Sequence, residues 1–303
     1  MPCTCQSSRW AKSLADYFAS VLQVFQQNTW FFYLSVLFLS LAVGSFLNVV
    51  IYRLPIMLEN EWRSECKSFL ELEEDKTEVF NLSRPSSRCP SCGHKIRVLE
   101  NIPLLSYIFL RGKCAACGAP VSLQYPLVEA GTAALSLIIA IYSGVSLQTL
   151  FALIFTWCLV ALTMIDARTQ LLPDNITLPL LWLGILLNSF GLFTDLESSV
   201  YGAMAGYLIL WSIYKLFKKL TGKEGMGYGD FKLLAALGAW MGWQMLLQII
   251  LLSSLVGAVI GIAMVIFLKH DRRIAIPFGP YLAIAGWIAF VWGADINRLW
   301  LSY

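Results

Sequence analysis

Two aspartates and two cysteine pairs carry the chemistry open to this sequence. Asp166 stands at the end of the apolar run from Leu147 to Ile165, and Asp230 at the start of the short apolar stretch from Phe231 to Gly242. Two complete apolar crossings separate them, so a chain weaving through a bilayer returns both to one face. Two carboxylates in a partly desolvated site do not ionise together readily; one keeps a proton, and the pair can serve as base and acid on a water attacking a peptide bond. That is aspartyl-protease chemistry. The ordinary role of a carboxylate at a span end is an interfacial residue or a helix cap, and spacing does not decide between the two. Asp174 is a third acid on the same face, opening the next run.

The residues before Asp230 read Gly225, Met226, Gly227, Tyr228, Gly229. Alternating glycines permit unusual dihedrals and leave room for an extended substrate backbone beside the carboxylate. A nucleotide or methyl-donor loop would need a preceding strand in a βαβ unit, whereas apolar helical runs flank this string.

The cysteines form two CxxC pairs, Cys89 with Cys92 and Cys114 with Cys117, 21 residues apart. The gap is slightly beyond the usual zinc-ribbon spacing. Four thiolates on two knuckles suit a tetrahedral zinc, and a closed four-sulfur site is structural because it leaves no position for water. Gly93 and Gly118 can supply the tight turns. Disulfides or free thiols are the alternative, weaker in a reducing compartment. His94 reads as a solvated loop residue, and Cys3, Cys5, Cys66 and Cys158 show no pairing logic. Leu70 to Val79 reads as a solvated acidic face, or as a docking surface for a basic peptide.

The elements that must hold these groups are membrane helices. Of 303 residues, 58% are hydrophobic and only 14% charged, against roughly 25% charge in a soluble domain. Runs near the ~20 residues a bilayer core requires begin at Trp30, Leu123, Leu147, Ile176, Ser198, Met245 and Ile274; the stretch from Phe231 to Gly242 adds a crossing or half-crossing. The expected fold is an all-α polytopic membrane protein of about eight transmembrane helices with a small zinc-ribbon-like cytosolic domain. Its expected parts are an N-terminal segment 1–29, a first transmembrane helix 30–51, a cytosolic zinc-binding domain 52–122 and a transmembrane peptidase domain 123–303. All Lys and Arg except Arg9, Lys12 and Arg298 fall in segments that eight spans place on one side. The positive-inside rule makes that side cytosolic and the termini periplasmic. A net charge of +3 argues for no nucleic-acid partner. No secretory signal stands out. Gly202 with Gly206, and Gly257 with Gly261, have GxxxG spacing for close helix packing; Pro179, Pro277 and Pro280 imply kinks.

Taken together, GSFLNVVIYRLP from Gly44, the two knuckles in SRCPSCGHKI and LRGKCAACGAPVSLQYPLVE, MIDARTQLLPD, and GYGD followed by FKLLAALGAWMGW resemble the type IV prepilin leader peptidases of pilus assembly and type II secretion. The resemblance covers nearly the whole chain from Gly44 onward. It implies a GxGD-type intramembrane protease of the bacterial inner membrane with Asp166 and Asp230 as catalytic aspartates. It further implies cleavage of a short basic leader after its Gly from prepilins and pseudopilins, then N-methylation of the new terminal residue, usually Phe, from S-adenosylmethionine. Asp174 matches the LPD element and is expected to position the loop. Arg168 stands where many relatives carry another acid, outside the dyad. The methyltransferase region is expected in the cytosolic block around Glu100, Asn101, Ile102 and Pro103. Two other readings make different demands on the sequence. A transporter with a zinc-stabilised knob calls for charges at mid-membrane and duplicated half-chains, and the sequence has neither; an assembly scaffold would need no carboxylate pair.

Overall fold

The computed structural model describes residues 20, 22–72, 80–223, 225–267 and 277–301. Most of the N-terminal segment, the acidic stretch beyond Leu72 and the basic segment 269–273 lie outside the described residues.

An apolar run placed in lipid must satisfy every backbone amide and carbonyl internally, which favours the helix. The described residues follow that rule: they contain no strand, and their only bridges are two isolated ones in the cysteine block. The helices are α1 (Thr29–Phe69), the five-residue α2 (Leu105–Phe109), α3 (Gln124–Ser143), α4 (Leu147–Thr169), α5 (Asp174–Asn188), α6 (Leu196–Thr221), α7 (Tyr228–Met241), α8 (Leu246–Phe267) and α9 (Gly279–Leu301). Each of the eight apolar runs contains a helix among the described residues; the last begins at Gly279, and residues 274–276 lie outside them. Six of these helices, α1, α3, α4, α6, α8 and α9, are long and apolar enough to cross a membrane.

Two helices differ from full spans. With 15 residues in α5 and 14 in α7, each reaches only about 21–23 Å against a ~30 Å hydrocarbon core. The apolar run that begins at Ile176 continues in sequence to Phe193, but its helix stops at Asn188. The Asn188 side chain explains the stop. Its Oδ1 accepts from the amides of Phe193 and Thr194 at 3.0 and 3.1 Å, turning the chain, while Nδ2 donates to the carbonyls of Ala239 and Trp240 at the end of α7. At the other extreme, α1 has 41 residues, about 60 Å at helical rise. It continues well past Ile51, so the first quarter of the polar block is an extension of the first span.

The short α7 is the hub. Phe231, Leu233, Leu234, Ala236, Leu237, Ala239 and Trp240 have no exposed surface, the signature of a helix apolar on all sides and enclosed by others. Helices α5, α6 and α9 pack around it, with a smaller contact from α8. Gly202 and Gly206 bring α6 close: a Cβ at Gly202 would overlap the Gly238 carbonyl, and one at Gly206 would lie 2.6 Å from the Leu234 oxygen. The GxxxG reading as a packing device holds there. Trp240 Nε1 donates to the Leu180 carbonyl at 2.8 Å and its ring fills the bare face of Gly184 on α5.

The polar block is tied back to the bundle by side chains of α1 and α3. Buried Arg53 donates to the carbonyls of Asn81 and Pro85 at 2.9 and 2.7 Å and lies over the Phe80 ring. On α3, Glu129 Oε2 accepts from the Leu104 amide at 2.8 Å.

Candidate active site and metal centre

Helix α4 ends just after Asp166. Gln170 adopts a left-handed conformation, φ 53°, and its amide bonds to the Asp166 carbonyl. This reverses the chain into Leu171, Leu172 and Pro173 ahead of α5. Asp230 is the third residue of α7, whose N-cap is Gly227; an acid in a first helical turn complements the exposed amides there. The two crossings between them, α5 and α6, bring both carboxylates to the same end of the bundle, where they are 5% and 7% exposed and Leu172 lies against both Gly279, which faces Asp166, and Gly229, next to Asp230. Asp166 Oδ2 is buried and has no hydrogen-bond partner among the described residues. Folded proteins rarely leave such an atom unsatisfied without a functional reason.

Three bare backbones crowd this pair. A Cβ at Gly279, the first residue of α9, would lie 2.5 Å from Asp166 Oδ2 and 3.2 Å from Leu172 Cδ1. A Cβ at Gly229 would lie 2.8 Å from Leu172 Cβ, while the nearest atom to one at Gly227 is Asp230 Oδ2 at 3.8 Å. The open side expected of the glycine string is therefore at Gly227; at Gly229 the space is taken by Leu172.

Asp174 stands apart from the buried pair. Lys232 Nζ donates to both of its carboxylate oxygens at 2.7 Å, and the two side chains are 31% and 49% exposed. The bridge ties the first turn of α5 to the first turn of α7, next to Asp230. Gly279, Leu172 and Lys232 were not picked out from the sequence. Lys232, two residues after Asp230, and the glycine between Phe278 and Pro280 were the available signals; nothing marked Leu172.

The four knuckle cysteines converge, with all Sγ atoms within 4.8 Å of one another. Each knuckle has the same hydrogen bonds: Cys89 and Cys114 donate their amides to the carbonyls of His94 and Ala119, and Gly93 and Gly118 bond back to Cys89 and Cys114. Both glycines sit at φ 71°, where a side chain would be strained. Cys89 and Cys117 sulfurs are 3.9 Å apart, close to the ~3.8 Å edge of a tetrahedron with Zn–S bonds of ~2.3 Å. The amides of Ser91 and Cys92 bring the Cys89 thiol down to about 6. The donor set therefore fits a structural zinc ion.

Glu100 closes this module. It accepts from the Arg97 amide at 3.1 Å and pairs with His94 Nε2 at 3.0 Å; the Arg97 amide and His94 hold it below the usual carboxylate range. His94 is thus half-buried and partnered. Asn101 is exposed and Pro103 half-buried, on the segment that leads to the Leu104 anchor.

Two family descriptions match the chain: the Bacterial Peptidase A24 N-terminal domain over residues 38–143 and the Type IV leader peptidase family over residues 153–262. The cysteines fall in the first region and both aspartates in the second. The chain is 55% identical over 286 residues to a prepilin leader peptidase/N-methyltransferase of Aeromonas hydrophila, covering 94% of this chain and 99% of that protein. Similar proteins of the same description are 57% identical in Stutzerimonas stutzeri, over 90% of this chain and 94% of that one, and 53% identical in Pseudomonas aeruginosa, over 96% and 98%. No solved structure matches the chain.

Proposed function

The chain belongs to the Type IV leader peptidase family, and from that premise we propose that it removes the short basic leader from prepilins and pseudopilins and methylates the amine so released. The observation that carries this reading is the burial of Asp166 and Asp230 together at one end of the bundle, delivered by helices two crossings apart.

In the proposed reaction, the protonated aspartate donates to the scissile carbonyl oxygen while the ionised one takes a proton from the attacking water. Collapse of the tetrahedral intermediate returns a proton to the leaving amine. The substrate's apolar stem lies in the bilayer and its basic leader in the cytosol. The scissile bond is then at the level of the aspartates, beside the open backbone of Gly227. Asp174 and Lys232 hold the mouth of the site by joining α5 to α7.

The cysteine module binds zinc as a scaffold. S-adenosylmethionine supplies the methyl group, and the segment of Glu100, Asn101 and Pro103 belongs to the methyl-transfer region. In that segment Glu100 acts by fixing the loop through Arg97 and His94. The bias of Lys and Arg supports a cytosolic placement of this block and of the dyad in the bacterial inner membrane.

The test is mass spectrometry of a prepilin incubated with the purified enzyme and S-adenosylmethionine, beside Asp166→Asn and Asp230→Asn. The wild type yields a shortened, methylated product. Each variant leaves the substrate uncut, because general acid or base catalysis contributes about 10²–10⁴-fold. Normal cleavage by either variant overturns the dyad.

A further inference from the structure

The module built around the cysteines carries an apolar face with no partner among the described residues. Helix α2 displays Leu105, Ile108 and Phe109 at helical spacing i, i+3, i+4, with 52%, 68% and 81% of each exposed. Its opposite side is committed inward: the Tyr107 hydroxyl bonds to the Val121 carbonyl and its ring covers Gly112. The 3-10 turn Val98–Asn101 packs beside α2 and adds Leu99, 78% exposed. Large apolar side chains rarely gather in this way on a surface that faces only water.

The position of this face identifies its occupant. The residue before α2, Leu104, is held through its amide by Glu129, which lies in the second turn of the membrane-spanning α3. From that anchor to Phe109 is about five residues, no more than ~10 Å at helical rise. At the start of α3, its cap residue Leu123 and first-turn Leu127 are 65% and 68% exposed. The exposed face of α2 therefore stands within a short reach of the end of a helix that is long and apolar enough to cross a membrane. Exposed Arg97, Arg111 and Lys113 flank it, an arrangement that suits anionic headgroups over apolar acyl chains. A basic leader peptide meets like charge there.

We propose that Leu99, Leu105, Ile108 and Phe109 dock the cysteine module into the headgroup boundary of the membrane that α1 and α3 span. Docking holds the module flat against the bilayer beside the mouth of the dyad. A tethered substrate whose stem is in lipid then reaches both without leaving the surface. The inference rests on α3 being a membrane span, and its test is built to separate the two.

Trifluoromethyl-phenylalanine placed at Phe109, at Leu99 and, as the reference, at Leu127 gives a fluorine signal in each full-length protein in nanodiscs containing anionic lipid. Doxyl-labelled lipid should broaden the signals at 109 and 99 to within about twofold of that at 127, and an aqueous gadolinium chelate should leave all three sharp. Broadening at 109 and 99 by the chelate, with 127 still broadened by lipid, overturns docking alone. Broadening at 127 by the chelate overturns the span reading instead. If 109 and 99 feel neither reagent once a prepilin is added, having felt lipid less than 127 before, the face binds substrate and the lipid proposal fails.

Discussion

Replacing Gly279 by alanine should disable leader cleavage while leaving the fold intact. The added Cβ comes 2.5 Å from Asp166 Oδ2, about 0.9 Å short of the 3.4 Å at which ordinary contact begins. Something must move. Leu172 Cδ1 already stands at 3.2 Å from the same Cβ, which leaves the α9 backbone little room to shift. The carboxylate is the end of a flexible side chain: Oδ2 has no well-formed hydrogen bond among the described residues, and the one backbone group named against the carboxylate is that of Gly279 itself. Asp166 therefore yields, by most of an ångström. A misplacement of ~1 Å in a reacting group can cost ~10²-fold in rate, which is about 2.7 kcal/mol of barrier. Gly227→Ala supplies the comparison, because its Cβ meets Asp230 Oδ2 at an ordinary 3.8 Å. Single-turnover cleavage of a prepilin by the two variants, with thermal unfolding in parallel, measures the difference. At saturating substrate we expect Gly279→Ala to fall ~10²-fold in rate with little change in Tm, and Gly227→Ala, whose methyl enters the room left for substrate, to weaken binding while its saturated rate stays within about threefold of wild type. Equal rates for the two variants would refute the geometric argument, and so would a loss in Gly279→Ala that tracks a lower Tm.

Other consequences can be measured on the same preparation. Lys232→Met and Asp174→Asn should each slow cleavage, by roughly tenfold if the first turns of α5 and α7 drift by a fraction of the distance considered above. Their effect on stability should be under ~1 kcal/mol because the pair is partly exposed, and an Asp174→Lys, Lys232→Asp exchange should restore part of the rate. Cys114→Ser should lower bound zinc measured by atomic emission and open residues 80–122 to protease, with the thermal transition of the bundle little changed. In the unsubstituted protein zinc should be retained at neutral pH and lost as the pH falls, since thiolate ligands must take up protons to release it. Gly238→Ala, whose Cβ would overlap the Gly202 backbone, should destabilise the protein by at least the ~1–3 kcal/mol typical of overpacking, seen as a lower Tm in detergent.

What could be read from the sequence divides along a physical line. Apolar runs and charge bias register the solvent around a helix, and each of the eight runs contains a helix among the described residues. Cysteine spacing registers a local turn geometry, and the two knuckles form with matching hydrogen bonds. Features set by contact between distant segments left little trace. The stop of α5 at Asn188 depends on carbonyls at the end of α7, some 50 residues on. The extension of α1 to Phe69 went unseen because its polar second half reads as loop when only lipid-facing length is counted. Leu172 is an ordinary leucine until Gly229 and Gly279 close on it from two other helices.

The shortness of α7 connects the fold to the site. A helix of 14 residues enclosed by its neighbours cannot place both ends at a bilayer surface. One end can still reach the surface, as the 51% exposed Tyr228 does, so the burial of Asp230 in the same turn has to be matched by neighbouring helices. The chain provides that match at one level: α4 ends there with Asp166, α5 begins there with Asp174 bound to Lys232, and α9 begins there with Gly279. A full-length span in place of α7 could carry its first turn out to the headgroups, away from the carboxylate of Asp166. Shielding Asp230 and seating it opposite Asp166 thus have one cause, the packing of glycine-lined helices around a core helix too short to reach water at both ends.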